Sequence, residues 1–190
     1  MRTRLDNLLY PLLFFLVLAV LQPLQLQAQE ATITDFTVSN SESQLLLYLS
    51  LQDCFTEEME TAIHSGIPAT FTFYVELYQM RNTWPDKKIS SHNFNHVMGY
   101  DSLKKEYQIQ RAERKDNRLT SSLAEAKVLM SEINGFEFFP LAELDADSSY
   151  KVRVKAKLAK KTLPLYFHYL IPFSSLWDFK TDWHELVFHF

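Results

Sequence analysis

Gly66-Ile67-Pro68-Ala69-Thr70-Phe71-Thr72-Phe73-Tyr74-Val75-Glu76-Leu77-Tyr78-Gln79-Met80-Arg81-Asn82-Thr83-Trp84-Pro85-Asp86 is the stretch whose reading decides the fold. From Phe71 onward the side chains alternate. Phe71, Phe73, Val75 and Leu77 point one way, and Thr72, Tyr74, Glu76 and Tyr78 the other. Period two with β-branched and aromatic enrichment predicts a half-buried strand. Gly66 and Pro68 punctuate its start and Pro85 its end. At a strand's rise per residue it spans up to about 40 Å, enough to cross a small domain as the centre of a sheet.

Upstream, Ala31–Val38 and Gln44–Leu51 read as two strands joined by a turn over residues 39–43. Phe55, Met59, Ala62 and Ile63 follow at helical spacing, with Glu57 and Glu58 in the first turn and Gly66 as the stop. Downstream, Phe94, His96, Met98 and Tyr100 share one face of a weaker strand. Gly99-Tyr100-Asp101-Ser102 reads as a hairpin turn into a strand from Leu103 to Gln110, and residues 111–118 as an exposed polar loop. A second helix is expected from Ser122 to Ile133, capped by Ser122 and Glu125 and ended by Asn134-Gly135. Residues 136–148 show no regular pattern. Tyr150, Val152, Val154, Ala156 and Leu158 then face inward, opposite Lys151, Arg153, Lys155 and Lys157. Further strands are expected at Leu165–Ile171 and His184–Phe190. With many strands, two helices and short connections, the fold class is mainly β. The expected form is an antiparallel β-sandwich, or a curled sheet, with two short covering helices.

The first residues are a different material. Arg2 and Arg4 precede an apolar run from Leu8 to Leu21, followed by a polar segment ending at Ala28. That order describes a secretory signal peptide over residues 1–28. The run is short for a spanning helix, though an uncleaved anchor over residues 8–21 is the alternative. Residues 29–190 then form one exported β-rich domain, expected in the periplasm. Cys54 is the only cysteine, so no internal disulfide forms. Its neighbours Asp53, Glu57 and Glu58 disfavour a thiolate, which makes it a structural residue rather than a nucleophile.

Several strings carry a resemblance. They are Ala62…Gly66-Ile67-Pro68 with Phe71 and Phe73; Glu76-Leu77 with Arg81, Trp84 and Asp86; Tyr100-Asp101-Ser102-Leu103 with Tyr107; Tyr150…Arg153; Leu163-Pro164; and Trp177…Phe179-Lys180-Thr181-Asp182-Trp183. On these residues the chain, from about residue 31 to its last, resembles an uncharacterised family of Gram-negative bacteria, domain of unknown function 4390. Many members have Arg-Trp-Tyr-Trp where this chain has Arg81-Asn82-Thr83-Trp84. The resemblance implies export and a single domain. It also implies a link to a membrane sensor histidine kinase, whose genes often lie nearby, and it brings no activity.

Candidate surfaces follow from residue chemistry. Arg81, Trp84 and Asp86 suit a guanidinium stacked on an indole and paired with a carboxylate, either a ligand-facing corner or, more plainly, a clamp closing a hairpin. Trp177, Asp182 and Trp183 form an aromatic corner that lines a groove or, more plainly, plugs the sandwich end. His92 and His96 lie four apart, but on a strand that separates them by roughly 13 Å, so no metal site is expected. No Gly-x-Ser-x-Gly elbow and no Gly-rich loop occurs, so no catalytic residue, cofactor or enzymatic activity is expected.

Charge is uneven. Residues 29–86 hold nine acidic residues against one basic, whereas residues 148–177 hold Lys151, Arg153, Lys155, Lys157, Lys160 and Lys161 and no acid. Such a row meets an acidic partner or an anionic membrane surface. The plainer alternative is a solvated face or a lysine-guarded edge strand. Loss of residues 1–28 removes Arg2, Arg4 and Asp6 and takes the net charge from −4 to −5, which argues against nucleic acid. The expected function is contact with an envelope protein, with the sensor kinase as the candidate partner, through Tyr74, Glu76, Tyr78 and Arg81 and through the cationic row. The alternative is a carrier or sensor of an apolar ligand such as a lipid, held between aromatic-lined sheets.

Overall fold

A computed structural model describes residues 31–159 and 179–190. Strands β1 (Thr32–Asn40) and β2 (Gln44–Gln52) form the first hairpin, turned by Ser41, whose Oγ accepts from the Ser43 and Gln44 amides. Along β2 the alternation is complete, with Leu45, Leu47, Leu49 and Leu51 all buried. Helix α1 (Glu57–His64) starts at Thr56, whose side chain accepts from the Met59 N–H. It buries Met59, Ala62 and Ile63 and stops before Gly66, which sits at φ +87° where a glycine backbone is unstrained.

The chain then enters β3 (Ala69–Gln79), 11 residues long and hydrogen-bonded on both sides. Strands β4 (Lys87–Asp101), β5 (Glu106–Arg111) and β6 (Asp116–Thr120) continue the sheet on one flank. Helix α2 (Leu123–Ser131) follows, then β7 (Glu132–Pro140), which leaves that sheet and pairs with β2. Strands β8 (Ser149–Leu158) and β9 (His184–His189) complete the other flank. Two antiparallel sheets result, β1-β2-β7 and β6-β5-β4-β3-β8-β9. The fold is mainly β, with two sheets rather than one curled sheet.

One core joins the layers. Phe73 stacks on Phe94 at 5.6 Å, and Phe94 meets Phe136 of β7 at 4.7 Å across the gap between sheets. The small sheet covers only part of the large one. Both helices pack under the β4–β5 flank, where α2 buries Ala126 and Met130. The Lys127–Glu60 ion pair ties the two helices at mid-length.

Four local expectations need correction. The β4–β5 turn spans residues 102–105, not 99–102, because Asp101 Oδ1 accepts from the Leu103 and Lys104 amides and fixes the turn later. Residues 111–118 are not a free loop: Arg111 is buried at the end of β5, and Asp116–Arg118 already belong to β6. Helix α2 ends at Ser131, so Ile133, Asn134 and Gly135 lie in β7. Residues 136–140 are strand, hidden from a period-two reading by register shifts at Leu45/Leu46 and Leu47/Tyr48 of the partner strand. The strand expected at Leu165–Ile171 and the segment 1–28 lie outside the described residues.

Candidate functional site

Strands β3 and β8 are neighbours, with Thr72 opposite Lys157, Tyr74 opposite Lys155, Glu76 opposite Arg153 and Tyr78 opposite Lys151. Directly paired residues share a face, so the outward side chains of the two strands meet on the outer surface of the large sheet. β8 lies between β3 and β9 over Ser149–Val154, and residues 179–181 pair with its remaining length, so its cations do not guard an edge.

Glu76 is the hub of one half of this face. It accepts from Tyr78 Oη at 2.8 Å, Lys88 Nζ at 2.6 Å and Arg153 Nε at 2.6 Å. Partial burial pushes its carboxyl up, but these three donors outweigh it and hold the carboxyl below the usual glutamate range. Asp86 takes Lys151 Nζ at 2.8 Å. That bond holds the Asp86 carboxyl low and raises the Lys151 ammonium. The Arg153 guanidinium lies between two rings, 4.8 Å from the Tyr78 centroid and 4.4 Å from that of Trp183.

The other half differs. Lys155 Nζ lies 5.5 Å from the Trp183 ring and Lys157 Nζ 4.9 Å from Tyr74. Lys180 joins them through an isolated bridge to Lys157. No carboxylate forms an ion pair with these three lysines among the described residues. Desolvation and the neighbouring Lys180, with Lys157, lower the Lys155 ammonium, and Asp182 opposes them by a smaller amount.

The predicted residues therefore meet in part. Tyr74, Glu76, Tyr78, Asp86, Lys151, Arg153, Lys155 and Lys157 share one surface with Trp183. The expected Arg81–Trp84–Asp86 clamp does not form. Asp86 turns to Lys151, Arg81 reaches it only through its backbone N–H, and Trp84 is 73 % exposed. Trp183 does not plug the sandwich end but lies over Arg153. The plug is Phe179, buried edge-on against Phe71 at 4.9 Å. Asp182 is exposed beside it, and Trp177 lies outside the described residues.

A second polar cluster escaped sequence reasoning. His96 is fully buried on the inner face of β4, with Nδ1 2.9 Å from the Met130 carbonyl and Nε2 2.9 Å from Glu113 Oε2. A carbonyl only accepts, so Nδ1 carries hydrogen, and one further proton must lie between Nε2 and the carboxylate. Glu113 Oε1 is buried without a partner. Beside it, Arg111 pairs with Asp116, and the Arg111 hydrogen bonds hold the Asp116 carboxyl below its usual range against burial. His64 meets Tyr107 between α1 and β5. His92 is held apart from His96 by Ser90 and the Phe138 carbonyl. Burial, with a smaller contribution from Asp53, pushes the Cys54 thiol up to about 12, so it is inert at neutral pH. A depression of 330 Å³ on the outer face of β4–β6, lined by Asn95, Val97, Gln110 and Lys115 among others, gathers no catalytic set.

No curated protein and no solved structure shows a significant match to this chain. A family model does, over residues 28–187. With most of its length so matched, the chain belongs to the family described as domain of unknown function DUF4390.

Proposed function

We propose that this chain is a non-enzymatic, exported β-domain that works by binding a protein in the cell envelope, with the extracytoplasmic part of a membrane sensor kinase as the partner. The amino-terminal segment supports export, and the resemblance of the chain to its family supports the kinase. The contact patch is the ion-paired half of the outer face. The single observation that carries it is Trp84, 73 % exposed two residues from Asp86, at the lip of a surface where Arg153 is already held between Tyr78 and Trp183. Trp, Tyr and Arg are the residues that carry most interface energy, and side chains fixed beforehand lose little freedom on binding.

The carrier reading is less well supported. The contacts Phe73–Phe94 and Phe94–Phe136 occupy the space between the sheets where an apolar ligand would sit. Calorimetric titration of the exported domain with the purified kinase sensor domain tests the contact reading. Trp84→Ala and Arg153→Gln are each expected to weaken binding at least tenfold, at about 1.4 kcal/mol per decade. No binding, or binding indifferent to both substitutions, removes it.

A further inference from the structure

The cation row on β8 is divided, and the division assigns a second role to the same face. Lys151 and Arg153 are neutralised by Asp86 and Glu76. Among the described residues no carboxylate pairs with Lys155, Lys157 or Lys180, although they crowd one corner closely enough for Lys180 to depress Lys155. Uncompensated like charges cost stability, and Lys155 and Lys157 stand on a strand paired on both sides, by β3 and by residues 179–181, rather than on an edge that needs guarding. Its rings, Tyr74 and Trp183, lie under the ammonium groups as flat, amphipathic supports. Lysines over tyrosine and tryptophan are the side-chain set of a membrane–water interface.

Chain path separates a lipid surface from an acidic protein as the occupant. The stretch 160–178 leaves at Ala159 and returns at Phe179, and both ends are fixed at this corner. Leu158 N–H donates to Phe179 O at 3.0 Å and Ala159 N–H to Thr70 O at 2.8 Å. In sequence that stretch is rich in Leu, Phe and Tyr, begins with Lys160-Lys161 and holds one acid, Asp178. An apolar sequence whose two described ends flank these ammonium groups suits a bilayer with anionic headgroups.

We propose that the Lys155–Lys157–Lys180 corner docks this protein on an anionic lipid surface. Lipid phosphates take the three ammonium groups while the ion-paired half of the face stays free for the protein partner. The inference rests on the reading of this face as a contact surface, but it is read with no protein partner present.

The test is co-sedimentation of the chain, as isolated from the cell envelope, with phosphatidylcholine vesicles with and without phosphatidylglycerol. Binding is expected only with phosphatidylglycerol and to fall as salt rises. Lys155→Gln, Lys157→Gln and Lys180→Gln together are expected to weaken it about 100-fold, from the usual worth of a surface lysine near anionic lipid. The exposed control set Lys87→Gln, Lys104→Gln and Arg118→Gln should leave it intact, and circular dichroism should show both variants folded. Trp84→Ala should bind vesicles as the parent does, which keeps this result separate from the kinase titration. Equal binding to neutral vesicles, no vesicle binding, or a triple variant that binds normally overturns the proposal. So does full competition by inorganic phosphate at matched ionic strength, which would reduce the corner to a free-anion site.

Discussion

At the scale of single residues, the outward side chains of β3 and β8 were legible because burial there follows the strand period. Which cation met which acid was not. Glu76 and Arg153 lie 77 positions apart, and only the β3–β8 register brings them to 2.6 Å. His96 and Glu113 show the same limit more sharply. Glu113 stands in a run of polar residues that reads as solvated loop, and its burial comes from a tertiary partner that no local pattern encodes. Glu113→Ala is expected to leave the His96 ring without its partner and to cost roughly 1–3 kcal/mol in urea unfolding. Glu113→Gln, which can still meet Nε2, should recover most of that. Asp116 gives the pH dependence. Its folded carboxyl is held below the unfolded value by Arg111. It therefore contributes stability that is complete above the ordinary aspartate range, about 3.9, and is lost as pH falls through the lower folded value. Glu76 acts with the same sign. The melting temperature should accordingly drop on acidification below about pH 4, and Asp116→Asn should flatten that drop in a calorimetric series.

At the scale of elements, β3 is the test of the fold. Phe71, Phe73, Val75 and Leu77 are each no more than 1 % exposed, and Phe73 touches both Phe94 and His96. Phe73→Ala should cost about 3–5 kcal/mol, seen as a lower urea midpoint at unchanged slope. A midpoint shift within error would mean that the strand is not the centre of the core. The elements read correctly were those with an uninterrupted period: β2, β3, β8, and α1 with its acidic first turn and its stop at Gly66. β6 was missed because Asp116–Thr120 is exposed along most of its length and has no apolar side to alternate. β7 was missed because its bulged pairing with β2 breaks the period of two. There Gly135 sits at φ +76°, facing the Tyr48 hydroxyl. The capping pattern at α2 was half right. Ser122 does accept from the Glu125 N–H, but the Glu125 carboxylate turns to the Thr120 hydroxyl instead of returning to the cap.

At the scale of the whole molecule, the two-sheet architecture was readable from strand count and short connections, while the assignment of strands to sheets was not. Nothing in the chain announces that β7 will abandon its neighbour α2's sheet for β2, since both sheets offer apolar faces. The uneven charge seen in the sequence acquires a direction in space. Glu57, Glu58 and Glu60 lie on α1, beneath the inner side of the large sheet, while the β8 lysines stand on its outer side. With Lys151 and Arg153 already neutralised on that face, the excess positive charge in front sits with Lys155, Lys157 and Lys180. Drifting toward a negative surface, the molecule would be turned lysines-first before any contact is made. Stopped-flow mixing should therefore find that added salt slows the rate of encounter steeply.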